Sequence, residues 1–277
     1  MKHDFKRRLI QLASAVIYNA NFAGFQDGSL YRGATKGVCA PGLNCYSCPG
    51  AVLSCPLGAL QNALSQLPRK APLYICGFIM LVGLLLGRAV CGFLCPFGLI
   101  QELLNKIPSP KLKKGRWSRR LSWLKYGILA VFVAAIPIWY AYAKGYPLPA
   151  FCKYICPAGT LEGGLPLVAL RADFRGVIGA LFGWKAFICA AVLALCVFCY
   201  RAFCRFLCPL GAIYSCFARV ALPAVRVDKG LCTNCGLCVK RCKMDVRRVG
   251  DRECIQCGDC WEVCPHNAIY FGREKKQ

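Results

Sequence analysis

Residues 91–98 read Cys-Gly-Phe-Leu-Cys-Pro-Phe-Gly, and residues 204–211 read Cys-Arg-Phe-Leu-Cys-Pro-Leu-Gly. The same Cys-Pro-x-Gly phrase recurs at Cys55 and at Cys156. Proline has no backbone donor and a fixed φ that suits the first helical position, so each phrase predicts a cysteine at the entrance of a short helix. The unpaired N–H groups of such an entrance favour a thiolate. We call these four turns the Cys-Pro elbows, and the internal repeat is the first clue to the fold.

The residues around the elbows are too apolar for an ordinary soluble domain. The 277-residue chain is 57% hydrophobic and has a mean hydropathy of +0.45. Crossing a bilayer takes about 20 apolar residues. Four apolar stretches are candidates: Leu9 to Phe25, Leu73 to Val90, Leu121 to Ala143 and Gly176 to Tyr200. The last three approach or exceed that length, and the first is weaker. We expect an α-helical integral membrane protein of about four spans with short elbow helices. Asn19 and Asn21 leave the first stretch open to a re-entrant alternative.

The charge pattern predicts which side each loop faces. Lys and Arg outnumber Asp and Glu by 36 to 12, a formal charge of +24. The loop from Lys106 to Arg120 carries basic residues and no acid: Lys106, Lys111, Lys113, Lys114, Arg116, Arg119 and Arg120. Such loops stay in the cytoplasm, so a multi-pass protein of the cytoplasmic (inner) membrane with cytoplasmic termini is predicted. The loops near 26–72 and 144–175 then face outside. The hydropathy favours the lipid bilayer over nucleic acid as the partner of the basic charge.

The spacing of the 23 cysteines indicates metal ligands. If successive spans alternate direction, the elbows at Cys95 and Cys208 share the inner face. A complete thiolate set for one [4Fe-4S] cluster is then predicted there: Cys91, Cys95, Cys204 and Cys208.

The outer face collects more thiols than one cluster needs: Cys39, Cys45, Cys48, Cys55, Cys152 and Cys156. Either Cys48 or Cys45 joins Cys55, Cys152 and Cys156 in one cluster, or a self-contained cluster forms on Cys39, Cys45, Cys48 and Cys55. The sequence leaves both alternatives open.

The C-terminal part contains two C-x2-C-x2-C-x3-C runs, which start at Cys232 and Cys254. In such runs three close thiolates bind one cluster and the fourth reaches the other. One predicted set is Cys232, Cys235, Cys238 and Cys264, and the other is Cys242, Cys254, Cys257 and Cys260. Zinc is disfavoured because a third cysteine and a distal Cys-Pro fit iron–sulfur binding better. We therefore divide the chain into a membrane domain, 1–224, and a ferredoxin-like α+β module with two [4Fe-4S] clusters, 225–277.

Together the elbows, the four apolar stretches and the terminal runs resemble the NapH-type, polyferredoxin-like family of membrane 4Fe-4S proteins, relatives of quinol dehydrogenase membrane components. The phrases that carry the resemblance are Cys91-Gly-Phe-Leu-Cys95-Pro, Cys204-Arg-Phe-Leu-Cys208-Pro and the two terminal runs. The resemblance implies a place in the cytoplasmic membrane and electron exchange with the quinone pool.

Three functions are compatible with these features. The first is a relay of single electrons between a cytoplasmic partner, the membrane-face clusters and an extracytoplasmic partner. Other redox subunits or a soluble ferredoxin or flavoprotein would be its partners. The second is a quinol-oxidising or quinone-reducing subunit, with menaquinone as a candidate. The third is a redox-sensing or assembly protein. No catalytic residue is assigned, and an electron-transfer subunit of an oxidoreductase complex is the expectation.

Overall fold

The computed structural model describes residues 2–67, 71–112, 114–218, 220–222 and 224–272, without the side chains of residues 2, 3 and 177. Lys113 of the basic loop and both chain ends therefore lie outside the described residues. The described chain is mostly helical. Its α-helices are α1 (Lys2–Tyr18), α2 (Ala23–Asp27), α3 (Pro56–Ser65), α4 (Leu73–Leu85), α5 (Ala89–Phe93), α6 (Pro96–Leu104), α7 (Arg116–Leu121), α8 (Leu124–Ile128), α9 (Ile136–Lys144), α10 (Ala150–Tyr154), α11 (Pro157–Gly159), α12 (Leu165–Leu170), α13 (Ala180–Phe198), α14 (Ala202–Phe206), α15 (Pro209–Cys216) and α16 (Leu237–Arg241).

Among the described residues, two helical segments are long and apolar enough to cross a membrane. They are the continuous run Arg116–Lys144, which includes α7 to α9, and α13. The other two predicted spans are shorter as helices. The helix α4 has 13 residues, and α1 ends at Tyr18, short of the predicted end of the first stretch. The number of spans therefore stays a prediction.

Asn19 explains where α1 ends. Its Nδ2 donates to the Ala15 carbonyl and to Asn44 Oδ1, both at 3.0 Å. Asn21 donates in the same way to the Pro49 carbonyl at 2.9 Å. These amides therefore fasten the end of α1 to the cysteine-rich loop that follows, which meets their need for polar partners in an apolar setting.

The long segment Arg116–Lys144 contains a π-helical stretch, Leu129–Ala135, directly before Pro137. Proline cannot donate to the carbonyl four residues earlier, so the helix widens in the preceding turns. The same arrangement recurs at Thr160–Gly164, which precedes Pro166.

Large apolar side chains cover the outward faces of these helices. Phe5, Leu9 and Ile17 of α1 are 56–71% exposed. Exposed aromatic residues lie towards both ends of the long helices: Trp117, Trp123, Trp139, Tyr142, Tyr146 and Trp184. Aromatic residues at the ends of an apolar surface are typical of the membrane interface. Together with the two long apolar helices, this surface indicates membrane association.

The C-terminal module contains the sheet of the described chain. Strands β1 (Ala224–Val227) and β2 (Ile269–Gly272) pair antiparallel, with Ala224 opposite Gly272. The module packs on the basic loop: Lys114 donates to the Cys242 carbonyl, and Arg119 pairs with Asp245 at 3.1 Å. The basic residues of the loop thus bind the chain's own module.

Candidate metal centres

The four Cys-Pro elbows have the predicted geometry. Cys55, Cys95, Cys156 and Cys208 each have extended backbone angles, and the proline that follows each of them occupies the first turn of a helix. In three elbows a preceding single-turn helix, α5, α10 or α14, carries the other cysteine of the pair. The Cys-Pro chemistry therefore determines the local structure at each elbow.

Cys91, Cys95, Cys204 and Cys208 come together, and we call this set the inner elbow site. All four are 5–7% exposed and line one narrow cleft. Phe97 and Phe203 meet edge to face beside it, with ring centroids 5.1 Å apart. Burial, followed by the neighbouring Cys204 and Cys91, raises the pKa of the Cys95 thiol to about 12. A buried thiol of this kind needs a metal to hold it as thiolate.

Gln101 connects the two halves of the inner elbow site. It is the sixth residue after Cys95, and its Nε2 donates to Cys204 Sγ at 3.0 Å. Its Oε1 accepts from the Phe203 amide at 3.1 Å. On the other side, the Gly211 amide donates to Cys208 Sγ at 3.4 Å. Donors aimed at sulfur stabilise the thiolate and orient it.

Gln61 makes the same connection at the second pair of elbows. It is the sixth residue after Cys55, and its Nε2 donates to Cys152 Sγ at 3.1 Å. Its Oε1 accepts from the Phe151 amide at 2.9 Å. A Cβ at Gly58 would lie 3.9 Å from both Cys152 Sγ and Cys55 Cβ, so these two cysteines flank one glycine.

Of the two thiols predicted to join this second group, Cys45 lies beside the elbow at Cys156. A Cβ at Gly159 would lie 2.9 Å from Cys45 Sγ, so the glycine gives the thiol room beside the elbow at Cys156. Burial raises the pKa of the Cys156 thiol most, and the nearby thiols of Cys152, Cys45 and Cys55 raise it further. We call Cys45, Cys55, Cys152 and Cys156 the outer elbow site.

The other two candidate thiols of this region have different surroundings. Cys48 Sγ donates to the Glu162 carbonyl at 3.1 Å. Cys39 forms a β-bridge with Ser54, and burial with the nearby Cys55 raises its pKa to about 11. Of the two alternatives that the sequence left open, this arrangement favours the one in which both halves contribute.

Glu162 is a buried acid beside the outer elbow site. Its Oε2 accepts from the Cys45 amide at 2.9 Å, and its Oε1 is buried without a partner in the described chain. Burial raises the pKa of this carboxyl to about 7, although the Cys45 amide lowers it. Glu162 is the sixth residue after Cys156, the position that Gln61 and Gln101 occupy after Cys55 and Cys95.

The two elbow sites lie close to one another rather than at widely separated surfaces. A Cβ at Gly42 would lie 3.0 Å from Cys95 Cα, so the loop that carries Cys45 packs on the inner elbow. The hydroxyl of the fully buried Tyr214 donates to the Pro41 carbonyl at 2.8 Å. Burial raises the pKa of Tyr214, and the thiols of Cys91 in one site and Cys55 in the other raise it further. Tyr214 thus lies between them.

The two runs of the module fold alike. In each run the residue before the second cysteine, Asn234 or Gln256, has a left-handed backbone, and the following glycine, Gly236 or Gly258, does too. This turn curls the chain so that successive cysteines and amide groups face inwards.

Both predicted cysteine sets of the module lie together. Cys232, Cys235, Cys238 and Cys264 line a cavity of about 890 Å³, and we call them the distal module site. Burial, then Cys254 and Cys242, raises the pKa of Cys260 to about 12. After burial and Asp259, the same two thiols raise the pKa of Cys257. We call Cys242, Cys254, Cys257 and Cys260 the proximal module site.

The proximal module site sits on the inner elbow. A Cβ at Gly92, between the inner cysteines, would lie 2.3 Å from the Ile255 carbonyl oxygen. At the matching position of the other half, Arg205 pairs with Asp245 of the module at 2.7 Å. The backbone beside Cys91 therefore touches the backbone beside Cys254, which brings the two cysteine sets next to each other.

The donor sets fit [4Fe-4S] clusters. Each of the four sites offers four thiols, the usual ligand set of such a cluster. Among the described residues, no three His, Cys, Asp or Glu side chains are close enough together to hold a single metal ion. A four-iron cluster is larger than one ion, so its four thiolates stand further apart than the ligands of a single ion.

Sequence reasoning missed the residues that connect the halves, although the repeat contained a signal for them. The shared phrase extends upstream to Arg-Ala-x-Cys at Arg88 and Arg201 and downstream to glutamine at Gln61 and Gln101. The repeat after each Cys-Pro already includes the two glutamines, although their spacing alone gave them no role, and reading it three residues upstream would have added the two arginines.

Comparisons with known proteins identify 4Fe-4S binding domains in both parts of the chain. The family model described as "4Fe-4S binding domain" matches residues 54–74, 71–115, 126–165 and 180–228, and a second model of that description matches 225–248 and 250–270. An uncharacterized protein of Methanocaldococcus jannaschii is 29% identical over 76% of this chain and 81% of its own length. The methylamine utilization ferredoxin-type protein MauN of Paracoccus denitrificans is 30% identical over 69% of this chain and 61% of its own length. The ferredoxin-type protein NapH of Haemophilus influenzae is 26% identical over 79% and 75%, respectively. The chain thus spans less than two thirds of MauN. No solved structure matches the chain.

Proposed function

Because the chain belongs to the family of 4Fe-4S binding domain proteins that includes the NapH-like polyferredoxins, we propose that it is a membrane-associated relay for single electrons. In this proposal a cytoplasmic ferredoxin, flavoprotein or redox subunit exchanges electrons with the C-terminal module. The elbow sites continue the path towards an extracytoplasmic partner. Four-iron clusters, when bound, supply one-electron redox chemistry.

The contact between Gly92 and Ile255 is the observation that carries the proposal. It joins the elbow that holds Cys91 and Cys95 to the run that holds Cys254 and Cys257, through backbone in direct contact. The order of sites that follows is distal module, proximal module, inner elbow, outer elbow. Cys235 in the distal site is exposed and suits exchange with a soluble partner, whereas the elbow cysteines are mostly buried.

The chain's own residues hold this path in place. Glu253, one residue before Cys254, pairs with Arg88 at 2.8 Å and with Lys125 at 2.6 Å. Arg252 stacks over the ring of Trp123 at 4.2 Å. These contacts fix the module against the elbows, and Tyr214 fixes the loop of the outer site against the inner one.

A four-span topology with the module in the cytoplasm remains part of the proposal. It is supported by the two long apolar helices and by the contact of the basic loop with the module, which puts both on one side. An impermeant thiol reagent added outside the metal-free protein should then leave the exposed Cys216 and Cys235 unlabelled, and the same reagent should label them in permeabilised membranes.

The ligand assignment is tested by anaerobic EPR and iron counting on the purified full chain. Four clusters predict about 16 irons per chain, at four irons per cluster. Cys91→Ser and Cys152→Ser should each remove one cluster, whereas Cys216→Ser, at an exposed cysteine outside the four sites, should remove none. A count of two clusters that neither elbow variant changes would confine the redox centres to the module and contradict the proposal.

A further inference from the structure

An excess of positive charge is buried around the inner elbow site. Arg88 and Arg201 stand three residues before Cys91 and Cys204, and their side chains are fully buried. Each crosses to the other half: Arg201 Nη1 donates to the Cys91 carbonyl, and Arg88 Nη2 donates to the Cys204 carbonyl at 3.5 Å. The two arginines therefore bracket the site from both halves.

The elbow glycines make room for these guanidinium groups. A Cβ at Gly98 would lie 3.2 Å from Arg201 Nη1, and one at Gly211 would lie 3.4 Å from Arg88 Nη2. Arg201 also has a left-handed backbone, with φ 50°. Such a conformation is unfavourable for residues other than glycine and persists where the surroundings enforce it.

Carboxylates neutralise only part of the buried positive charge. Glu102 accepts from Arg201 at 2.6 Å and from Arg7 at 2.7 Å. Glu253 accepts from Arg88 and from Lys125. The side chains of all four cations are 0% exposed, and those of the two carboxylates are 1% and 9% exposed, which leaves two positive charges in excess. At the partly exposed edge of this group, Asp4 pairs with Arg7 at 2.5 Å and with Arg8 at 2.7 Å. Asp4 adds one negative charge and Arg8 one positive charge, so the excess of two is unchanged.

Buried charge without a counterion is strongly unfavourable, so the excess calls for an anion at this place. Four thiolates around a four-iron cluster carry a net charge of roughly minus two. A net charge of that size at the inner elbow site would balance the two excess positive charges. An electron added by reduction would also be attracted by these buried cations.

The outer elbow site lacks this feature. Pro149 and Gly42 stand three residues before Cys152 and Cys45, where the inner pairs have arginine. The buried charges nearby are Glu162, which contacts the Cys45 amide, and Lys36, which donates to the Ala51 carbonyl. Because the pKa of Glu162 is raised to about 7, this carboxyl balances Lys36 only in part near neutral pH. Lys185 Nζ would lie 4.0 Å from a Cβ at Gly159, but this side chain is partly exposed and its charge is screened by solvent. The outer elbow site therefore has fewer buried cations beside it than the inner one.

We propose that Arg88 and Arg201 are positioning residues that hold the inner elbow site at a higher reduction potential than the outer elbow site. Reduction adds one negative charge, which the surplus cations stabilise more at the inner elbow site than at the outer one. An electron shared by the two elbow sites therefore resides at the inner one. In the transfer the outer centre loses one electron and the inner centre gains it, with no bond made and no proton moved. This inference rests on the proposed function, because it requires a redox centre at both sites.

Redox titration of the full chain, followed by EPR, tests the inference. Arg201→Gln should lower the reduced-to-oxidised ratio of the inner centre at a fixed potential by at least tenfold, which for one electron is 59 mV. Glu102→Gln should raise that ratio. Arg201→Lys keeps the charge and should stay closer to the native protein. Arg171→Gln, at an exposed arginine bonded to Gln26 and Asp173, serves as the control and should change neither centre.

Opposite shifts in Arg201→Gln and Glu102→Gln support an electrostatic role, because structural damage alone gives no such change of sign. The inference is overturned if the outer centre of the native protein has the higher potential, or if both variants shift the inner centre the same way. Should Arg201→Gln not assemble, Arg88→Gln decides in its place, since Glu253 keeps Lys125 as a partner. Absence of iron from both elbow sites would instead refute the proposed function, and iron counting separates that result from a reversed order of potentials.

Discussion

Replacing Gly92 by alanine tests the contact between the module and the inner elbow. The new Cβ would lie 2.3 Å from the Ile255 carbonyl oxygen, whereas ordinary contact begins at 3.4 Å. Backbone on both sides leaves no flexible side chain to yield, so the module has to move by about 1 Å. Overpacking of this kind is unfavourable by about 1–3 kcal/mol.

We expect Gly92→Ala to destabilise the docked state of the module by that amount. Since 1.4 kcal/mol is a factor of ten, opening of the contact should become about 5- to 150-fold more frequent. Hydrogen exchange of the peptide that covers residues 250–258 measures this, because exchange of its protected amides reports local opening.

Gly77→Ala is the matched control. Gly77 lies in α4, and a Cβ there would meet no atom within 4 Å. Alanine favours a helix over glycine by up to about 1 kcal/mol, so this variant should leave exchange in the module unchanged. Exchange in Gly92→Ala within twofold of the native rate would refute the close contact, and with it the order of sites proposed above.

Three further predictions concern single side chains. Cys45→Ser should remove the EPR signal of the outer centre and Cys48→Ser should retain it; the reverse would move the ligand to Cys48. Burial by itself raises the pKa of Glu102, yet the guanidinium groups around it lower the pKa to about 2. Its ion pairs therefore stabilise the fold above about pH 4.5 and are lost as the pH falls towards 2. The protection of α6 amides, relative to their intrinsic exchange rate at each pH, should fall over that window in the native protein and much less in Glu102→Gln. Tyr214→Phe removes the hydrogen bond to the Pro41 carbonyl and should destabilise the outer loop by about 0.5–1.5 kcal/mol, seen as faster exchange near residues 39–45, and unchanged exchange there would contradict a bridging role.

Local features were readable from the sequence because they depend on neighbouring residues alone. Cys-Pro predicts a helix entrance through the missing donor of proline, and the structure confirms it at all four elbows. The sets at the inner elbow and in the module followed from a repeat with fixed spacing, and the structure brings each set together. Two of the four predicted spans, in contrast, form helices of 17 and 13 residues, and the spanning number was therefore not established.

The choice between Cys45 and Cys48 could not be made from the sequence, because both lie within ten residues before Cys55. The two thiols differ in their contacts with residues more than 100 positions away in the chain. Gly159 lies beside Cys45 Sγ, whereas Cys48 Sγ donates to the Glu162 carbonyl. The sequence by itself determined the elbows, the repeat and the terminal runs, since spacing and backbone chemistry act locally. Only the tertiary structure decided that Arg88 contacts the elbow of Cys204 and Arg201 the elbow of Cys91. It also decided that two buried carboxylates, Glu102 and Glu253, pair with four buried cations. Such charges can be summed only where distant segments exclude water together, and no local pattern specifies which segments those are.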